Sequence, residues 1–368
     1  MDSTRIAKID AQNLLDLPFI HFQFTIHMQA KNIFPFLFLS LFVLASCNTN
    51  SNSKSGSKES AGKDSVEQTE KPVLAFDSAT YQKKITEIAN GDTTGKWPVK
   101  NQPLPLKGAI LPFSRIIAYY GNLYSVKMGI LGEFPPKEVW RRLNEEVKAW
   151  EKADSLTPVV PAIHYIAVVA QGSPMPDGTY CKRMPFAQID SAIAIAKMGN
   201  AIVFLDIQVC QSSYQNEVPK LEKYLKMPQV HLGIDPEFSM KDGSIPGRKI
   251  GTINDADVNY CTEYLAKLVK ENNLPPKILV VHRFTQGMLR NHAGIKLRPE
   301  VQVVINMDGW GEPILKRSTY KLYIKKEPVQ FTGFKLFYKN DLKKKPNVML
   351  TPDDLMKLVP QPIYIQYQ

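Results

Sequence analysis

AIVFLDIQVCQSSYQNEVPKLEKYLKMPQVHLGID (201–235) contains two apolar runs, AIVFLDIQV (201–209) and QVHLGID (229–235), joined by a stretch with helical spacing, NEVPKLEKYLK (216–226). Both runs are continuously apolar rather than alternating, as parallel strands are when helices cover both faces of their sheet. Strand, helical crossover and strand make one βαβ unit. The pattern recurs on either side, with strand-like runs RIIAYY (115–120), VVPAIHYIAVVA (159–170), KILVVHRF (277–284), VQVVINMD (301–308), TGFKLFY (332–338) and PIYIQY (362–367). Helical patterns fall between them at 136–153, 187–199, 255–273 and 352–359. Eight runs with helical crossovers predict an α/β fold, a single (β/α)8 TIM barrel over residues 76–368. A doubly wound open sheet is the alternative, but no Gly-rich loop follows the first run. DSATYQKKITEIAN (77–90) is expected to fold back over the gap that a missing eighth helix leaves.

The chain has 368 residues, 44% apolar and 10% aromatic, with a formal charge of +11. Residues 1–46 carry three basic and three acidic residues, so the excess belongs to the rest of the chain. Such an excess suits anionic surroundings such as phospholipid or anionic polysaccharide. Its densest part, Lys335 to Lys345, has no aromatic interleaving and no nucleic-acid motif, so it is expected to be a solvated loop and nucleic acid is not expected as a partner.

MQAKNIFPFLFLSLFVLASC (28–47) has one lysine, a short apolar core and small residues before a cysteine. The core is too short to span a bilayer and has the length of a signal-peptide core. It resembles a bacterial lipoprotein signal, which implies cleavage before Cys47, lipidation of its thiol, export and anchoring to the lipid bilayer of the cell envelope. Residues 1–27 then read as an over-called start. Residues 48–75 follow as a linker; through Lys71 they contain one valine and no aromatic residue, too little to offset the entropy of ordering, so a disordered tether is expected. Of the other cysteines, Cys261 lies in a helical pattern, and Cys181 and Cys210 fall just after strand-like runs, where a bridge is conceivable in an exported protein. No cysteine–histidine cluster suggests structural zinc, and neither metal nor cofactor is expected.

In a barrel the site lies at the C-terminal ends of the strands. Reading along those ends gives Tyr119 and Tyr120, then Asp206 and Gln208, Asp235 and Glu237, His282 and Arg283, Asp308 with Trp310, Lys335 and Tyr338, and Tyr364, Gln366 and Tyr367. His164, inside an apolar run, reads as a satisfied core histidine. Acids at strand ends are common caps, but carboxylates on several strands converge, and a packed barrel tolerates them only when paired or hydrogen-bonded. Paired carboxylates with flanking aromatics are the equipment of glycoside cleavage. If the strand stays extended, Asp235 and Glu237 share one face at i and i+2.

The Asp-x-Glu pattern resembles the strand-four motif of lysozyme-type and chitinase-type glycoside hydrolase barrels. That resemblance implies Glu237 as general acid and Asp235 as its partner; Asp206, on the preceding strand, is the alternative catalytic partner. The longer chitinase signature, with two more aspartates upstream, is absent. IIAYYGN, GILGEFPP, IAVVAQGSPMPDG, FLDIQV, GIDPEFSM, PGRKIG, VVHRFTQGM and IQYQ resemble an uncharacterised family of bacterial exported proteins and lipoproteins, which implies a barrel and export. Three readings follow: an envelope glycoside hydrolase with a carbohydrate ligand, a non-catalytic glycan- or ligand-binding lipoprotein, and a metal-dependent hydrolase using His282, Asp308, Asp206 and His164. Against the third, the first strand lacks the His-x-His pair with which many metal-dependent barrels begin.

Overall fold

The computed structural model describes residues 77–368. The start, signal and tether assigned to 1–27, 28–47 and 48–75, and with them Cys47, lie outside the described residues. Eight parallel strands form the sheet: β1 (Arg115–Gly121), β2 (Val159–Ala170), β3 (Ile202–Ile207), β4 (Val230–Ile234), β5 (Lys277–Arg283), β6 (Val301–Met307), β7 (Phe331–Leu336) and β8 (Tyr364–Tyr367). Each pairs with its chain neighbour, and β1 pairs with both β2 and β8, which closes the barrel. The eight-stranded (β/α)8 fold is therefore a property of the strand pairing itself. A short strand, Cys181–Arg183, adds antiparallel to the end of β2.

Side chains alternate across each strand, which sorts the barrel into two cores. Odd positions of β1 and β3, such as Ile117, Tyr119, Val203 and Leu205, pack outward against the helices of the outer shell, chiefly α2 (Pro136–Ala153), α3 (Phe186–Lys197) and α4 (Asp255–Glu271), the helix Ser78–Ala89 being α1. Even positions, such as Ile116, Ala118, Phe204, Val280 and Val304, fill the lumen. In β4 and β7 the phase is reversed: Leu232 and Phe334 join the outer core, so Gly233 and Lys335 take the inward positions.

The helix at the chain's described start, Ser78–Ala89, places Tyr81 and Ile85 in the lumen cluster with Ile116, Phe204 and Tyr364. It packs into the lumen core, whereas 77–90 is expected from the sequence to cover the gap of a missing eighth helix. Shortening Ile85 to valine leaves the helix but loses a methylene from the plug, and is expected to cost about 1 kcal/mol in chemical unfolding. An unchanged midpoint would show that the plug does not contribute to the core.

Two local expectations fail. The crossover predicted as one helix over 216–226 is instead three short turns, Tyr214–Glu217, Val218–Leu221 and Glu222–Leu225, because Pro219 cannot donate the amide that a continuous helix needs. The bridge considered for Cys181 and Cys210 is absent. Both are buried free thiols, and each donates to a backbone carbonyl, Cys181 to Val209 at 2.9 Å and Cys210 to Gln208 at 3.0 Å.

Candidate active site in the barrel mouth

The lumen turns polar toward the C-terminal ends of the strands. Tyr120, His164, Asp206, His282, Asn306, Lys335 and Gln366 are all buried and all inward-facing. Asp206 is the hub. It accepts a hydrogen bond from the Tyr120 hydroxyl at 3.0 Å, and its two oxygens lie 3.5 Å from His164 Nε2 and 3.6 Å from His282 Nε2. On the far side of that ring, His282 Nδ1 is 3.0 Å from Asp308, whose other oxygen is 2.9 Å from the Lys335 ammonium. Lys335 also stands 3.7 Å above the Tyr120 ring. The result is a continuous ion-pair chain, Asp206–His282–Asp308–Lys335, in which each buried charge stands beside an opposite one.

The charges in this chain have definite physical causes. Burial alone would strip the proton from His282, but the flanking carboxylates of Asp206 and Asp308 outweigh it and raise the imidazole to about 10. Burial works against ionised Asp206 too, yet His282 and His164 hold its carboxyl well below the usual range. Asp308 is lowered by Lys335 and His282 against the same desolvation. His164 is pushed down to about 4 by burial and is neutral.

Asp235 and Glu237 behave oppositely. β4 ends at Ile234, and Pro236–Phe238 form a single 3-10 turn that Asp235 caps, accepting from the Glu237 amide at 3.1 Å. The expected extended i, i+2 arrangement is thus replaced by a cap, since Pro236 fixes its own φ and leaves the strand ladder. Gln208, anchored by the Ala170 amide, reaches Asp235 at 3.4 Å. Glu237 is partly exposed at the rim. Burial raises Asp235 to about 7, with Asp206 and Asp308 adding to it. Glu237 is raised to about 8 by burial first and by Asp235 second. The pair therefore keeps at least one proton at neutral pH.

This shift carries a stability prediction. A carboxyl raised in the folded state stabilises the fold below the ordinary carboxylate range, and the contribution is lost as pH rises through about 7 to 8. Glu237→Gln removes the titration, so its Tm should match the wild type near about pH 4 and exceed it by a few °C near about pH 9. A difference independent of pH would contradict the assignment.

Several candidates lie elsewhere. Arg283 has outward phase and is buried outside the lumen, donating to the carbonyls of Tyr323 and Leu289 and pairing with Glu327. Tyr119 and Tyr338 also lie outside, hydroxyl to hydroxyl at 3.0 Å, with Tyr338 donating to Glu146 of α2. They brace a helix and do not reach the mouth. Trp310 is 40% exposed in the loop after β6, with the Lys343 ammonium 5.7 Å from its ring centre. Gln366 is inward, linking Tyr364 and Asn306. His164 is only half satisfied, bonded to Tyr364 through Nδ1 at 2.6 Å while Nε2 has no hydrogen-bond partner.

Lys335 was assigned to a solvated basic loop and is instead buried in the lumen; Lys339 and Lys343 to Lys345 are exposed as expected. Asn306 is a lumen residue to which strand ends alone do not point. The alternation of Phe331, Gly333 and Lys335, and of Val304, Asn306 and Asp308, was the available signal. Two surface grooves, one along Glu263–Lys270 and Arg298 and one along Met175–Asp177 and Lys182–Arg183, do not touch the cluster.

No protein-family model matches the chain, and no curated protein matches it. Among solved structures, it is similar to a trimodular endoglucanase of the GH5_4 subfamily (12% identity over 70% of this chain and 56% of that one, TM-score 0.39). It is also similar to Thermotoga maritima Cel5A in complex with cellobiose (11% identity, 70% and 88%, TM-score 0.36) and to Plasmodium falciparum HPPK-DHPS with pteroate (12% identity, 78% and 51%, TM-score 0.31). The chain spans just over half the length of the first of these. These likenesses are too slight to bear on chemistry, and the barrel rests on its own closed strand pairing.

Proposed function

We propose that this protein is a glycan-cleaving hydrolase of the bacterial cell envelope, exported and tethered to the membrane through a lipidated Cys47. The observation that carries the proposal is the divergence of the mouth carboxyls. Glu237 is held protonated at the rim, while Asp206 and Asp308 are held ionised just inside it. Glycoside cleavage needs one carboxylic acid to protonate the leaving oxygen and a carboxylate to support the cationic ring, and neighbouring environments that push two acids apart supply both. In this reading Glu237 gives its proton to the glycosidic oxygen as the carbon–oxygen bond breaks. Water then adds to the ring carbon and its proton returns to the Glu237 carboxylate, which restores the acid, while Asp235, held by Gln208, caps the turn that carries Glu237.

A second reading has one specific observation in its favour. Asp206 is engaged by His282, and Asp308 by His282 and Lys335, so neither is a free nucleophile. A barrel that binds glycan without turnover fits that arrangement. Incubating the purified protein with envelope polysaccharides and following reducing ends separates the two: release supports the hydrolase, and binding without release supports the second reading.

The tether has its own test. Cys47→Ser is expected to move the protein from the membrane pellet to the soluble fraction and to abolish incorporation of labelled fatty acid. Retention in the pellet without label would refute lipidation.

A further inference from the structure

We propose that His164, Asp206 and His282 form a binding site for one divalent transition-metal cation, of the kind held by mixed nitrogen and oxygen ligands, buried in the barrel lumen. The inference is independent of the glycan reading. It begins with three buried polar atoms that have no hydrogen-bond partner: His164 Nε2, His282 Nε2 and Asp206 Oδ1. All three residues are fully buried, and one ligand atom from each can be chosen so that all lie within 4.8 Å of one another. Unsatisfied buried polar atoms are costly and call for an explanation. Here three of them converge.

The spacing suits a cation. Ligand atoms at about 2.1 Å from a tetrahedral metal stand about 3.4 Å apart. Asp206 Oδ1 lies 3.5 Å from His164 Nε2, and its other oxygen, which also accepts from Tyr120, lies 3.6 Å from His282 Nε2; both separations are too long for good hydrogen bonds but close to that value.

The neighbouring groups also match. His282 presents Nδ1 to Asp308 at 3.0 Å, the carboxylate–histidine arrangement that orients a metal ligand and leaves Nε2 facing the ion. Tyr364 fixes the His164 ring through Nδ1, and Tyr120 fixes Asp206. Finally, the backbone leaves room. Gly233 is in register with Asp206 on the adjacent strand, and a Cβ there would fall 2.5 Å from both Asp206 Oδ1 and His164 Nε2. Any other residue at 233 would fill the point on which the ligands converge. Binding exchanges the proton on His282 for the cation and releases that proton to solvent. With two imidazoles, one carboxylate and no thiolate, the donor set suits zinc, cobalt, iron or manganese better than calcium or magnesium.

The test uses the full chain purified in detergent, stripped with chelator and titrated with Zn2+ and with Co2+. One equivalent of each is expected to bind, with Co2+ giving the visible absorption of an imidazole-ligated ion. His164→Gln and Gly233→Ala are each expected to weaken Zn2+ binding by more than the 10–100-fold that loss of an outer partner costs. Circular dichroism confirms that each variant is folded. Absence of stoichiometric binding by the wild type overturns the proposal, whether or not the variants fold. So does unchanged binding by folded variants.

Discussion

Glu237→Gln is expected to reduce release of sugar from envelope glycans by about 10²–10⁴, the usual contribution of a positioned general acid. Glutamine fills the same volume and hydrogen-bonds similarly, but it has no proton to give. Because the rim carboxyl participates in bond breaking rather than in holding the glycan, the loss should fall on kcat with KM nearly unchanged. In the wild type, activity should decline as pH rises through about 8, where the Glu237 proton is lost. Sugar release that persists in the variant, with the same pH profile, would remove Glu237 from the role. The stability change described above gives a second readout on the same substitution, independent of whether the right glycan has been supplied.

Asp206→Asn is expected to have the largest effect on the fold, about 3–5 kcal/mol in urea unfolding near neutral pH, because removing one member of a buried ion pair leaves the other uncompensated. Asparagine can still accept from Tyr120, so the hydrogen bond survives and the charge does not. The penalty has a defined pH window. His282 is raised from 6.5 to about 10, so its contribution is complete below 6.5 and disappears as pH rises through about 10. Asp206 is lowered, so its contribution is present above the ordinary carboxylate range and is lost only in acid. The difference between wild type and variant should therefore be greatest between about pH 4 and 6.5 and should shrink toward about pH 10. A penalty that stays constant across that range would mean that packing, not charge, accounts for it.

The architecture was legible because strand periodicity is local. The observed strands begin and end within two residues of the apolar runs; β2, for example, spans 159–170 in both. The same local alternation contained the correct phase for the lumen. Isoleucine, alanine and tyrosine at 116, 118 and 120 share one face, which assigns Tyr119 to the other, and the phase from Ile278 to Val280 to His282 excludes Arg283 in the same way. Chemical type at strand ends points alike to Tyr119, Arg283 and Tyr338, which lie outside the lumen, and to Lys335, which lies within it, and it passes over Asn306 inside β6. Pro219 and Pro236 were visible as breakers, but the turns they impose depend on the shell around them.

The sequence by itself determined the order of strands, the face each residue takes and the set of acids carried to one end of the barrel, because these follow from a two-residue repeat and chain connectivity. It also holds the apolar segment before Cys47 on which the export reading depends. Only the tertiary structure decided which acids are ionised and which keep their protons. That depends on distances across the lumen between residues far apart in the chain, 76 positions from Asp206 to His282 and 27 from Asp308 to Lys335. In a medium where burial penalises charge, a few ångströms to a histidine or lysine separate the lowered carboxyls of Asp206 and Asp308 from the raised ones of Asp235 and Glu237.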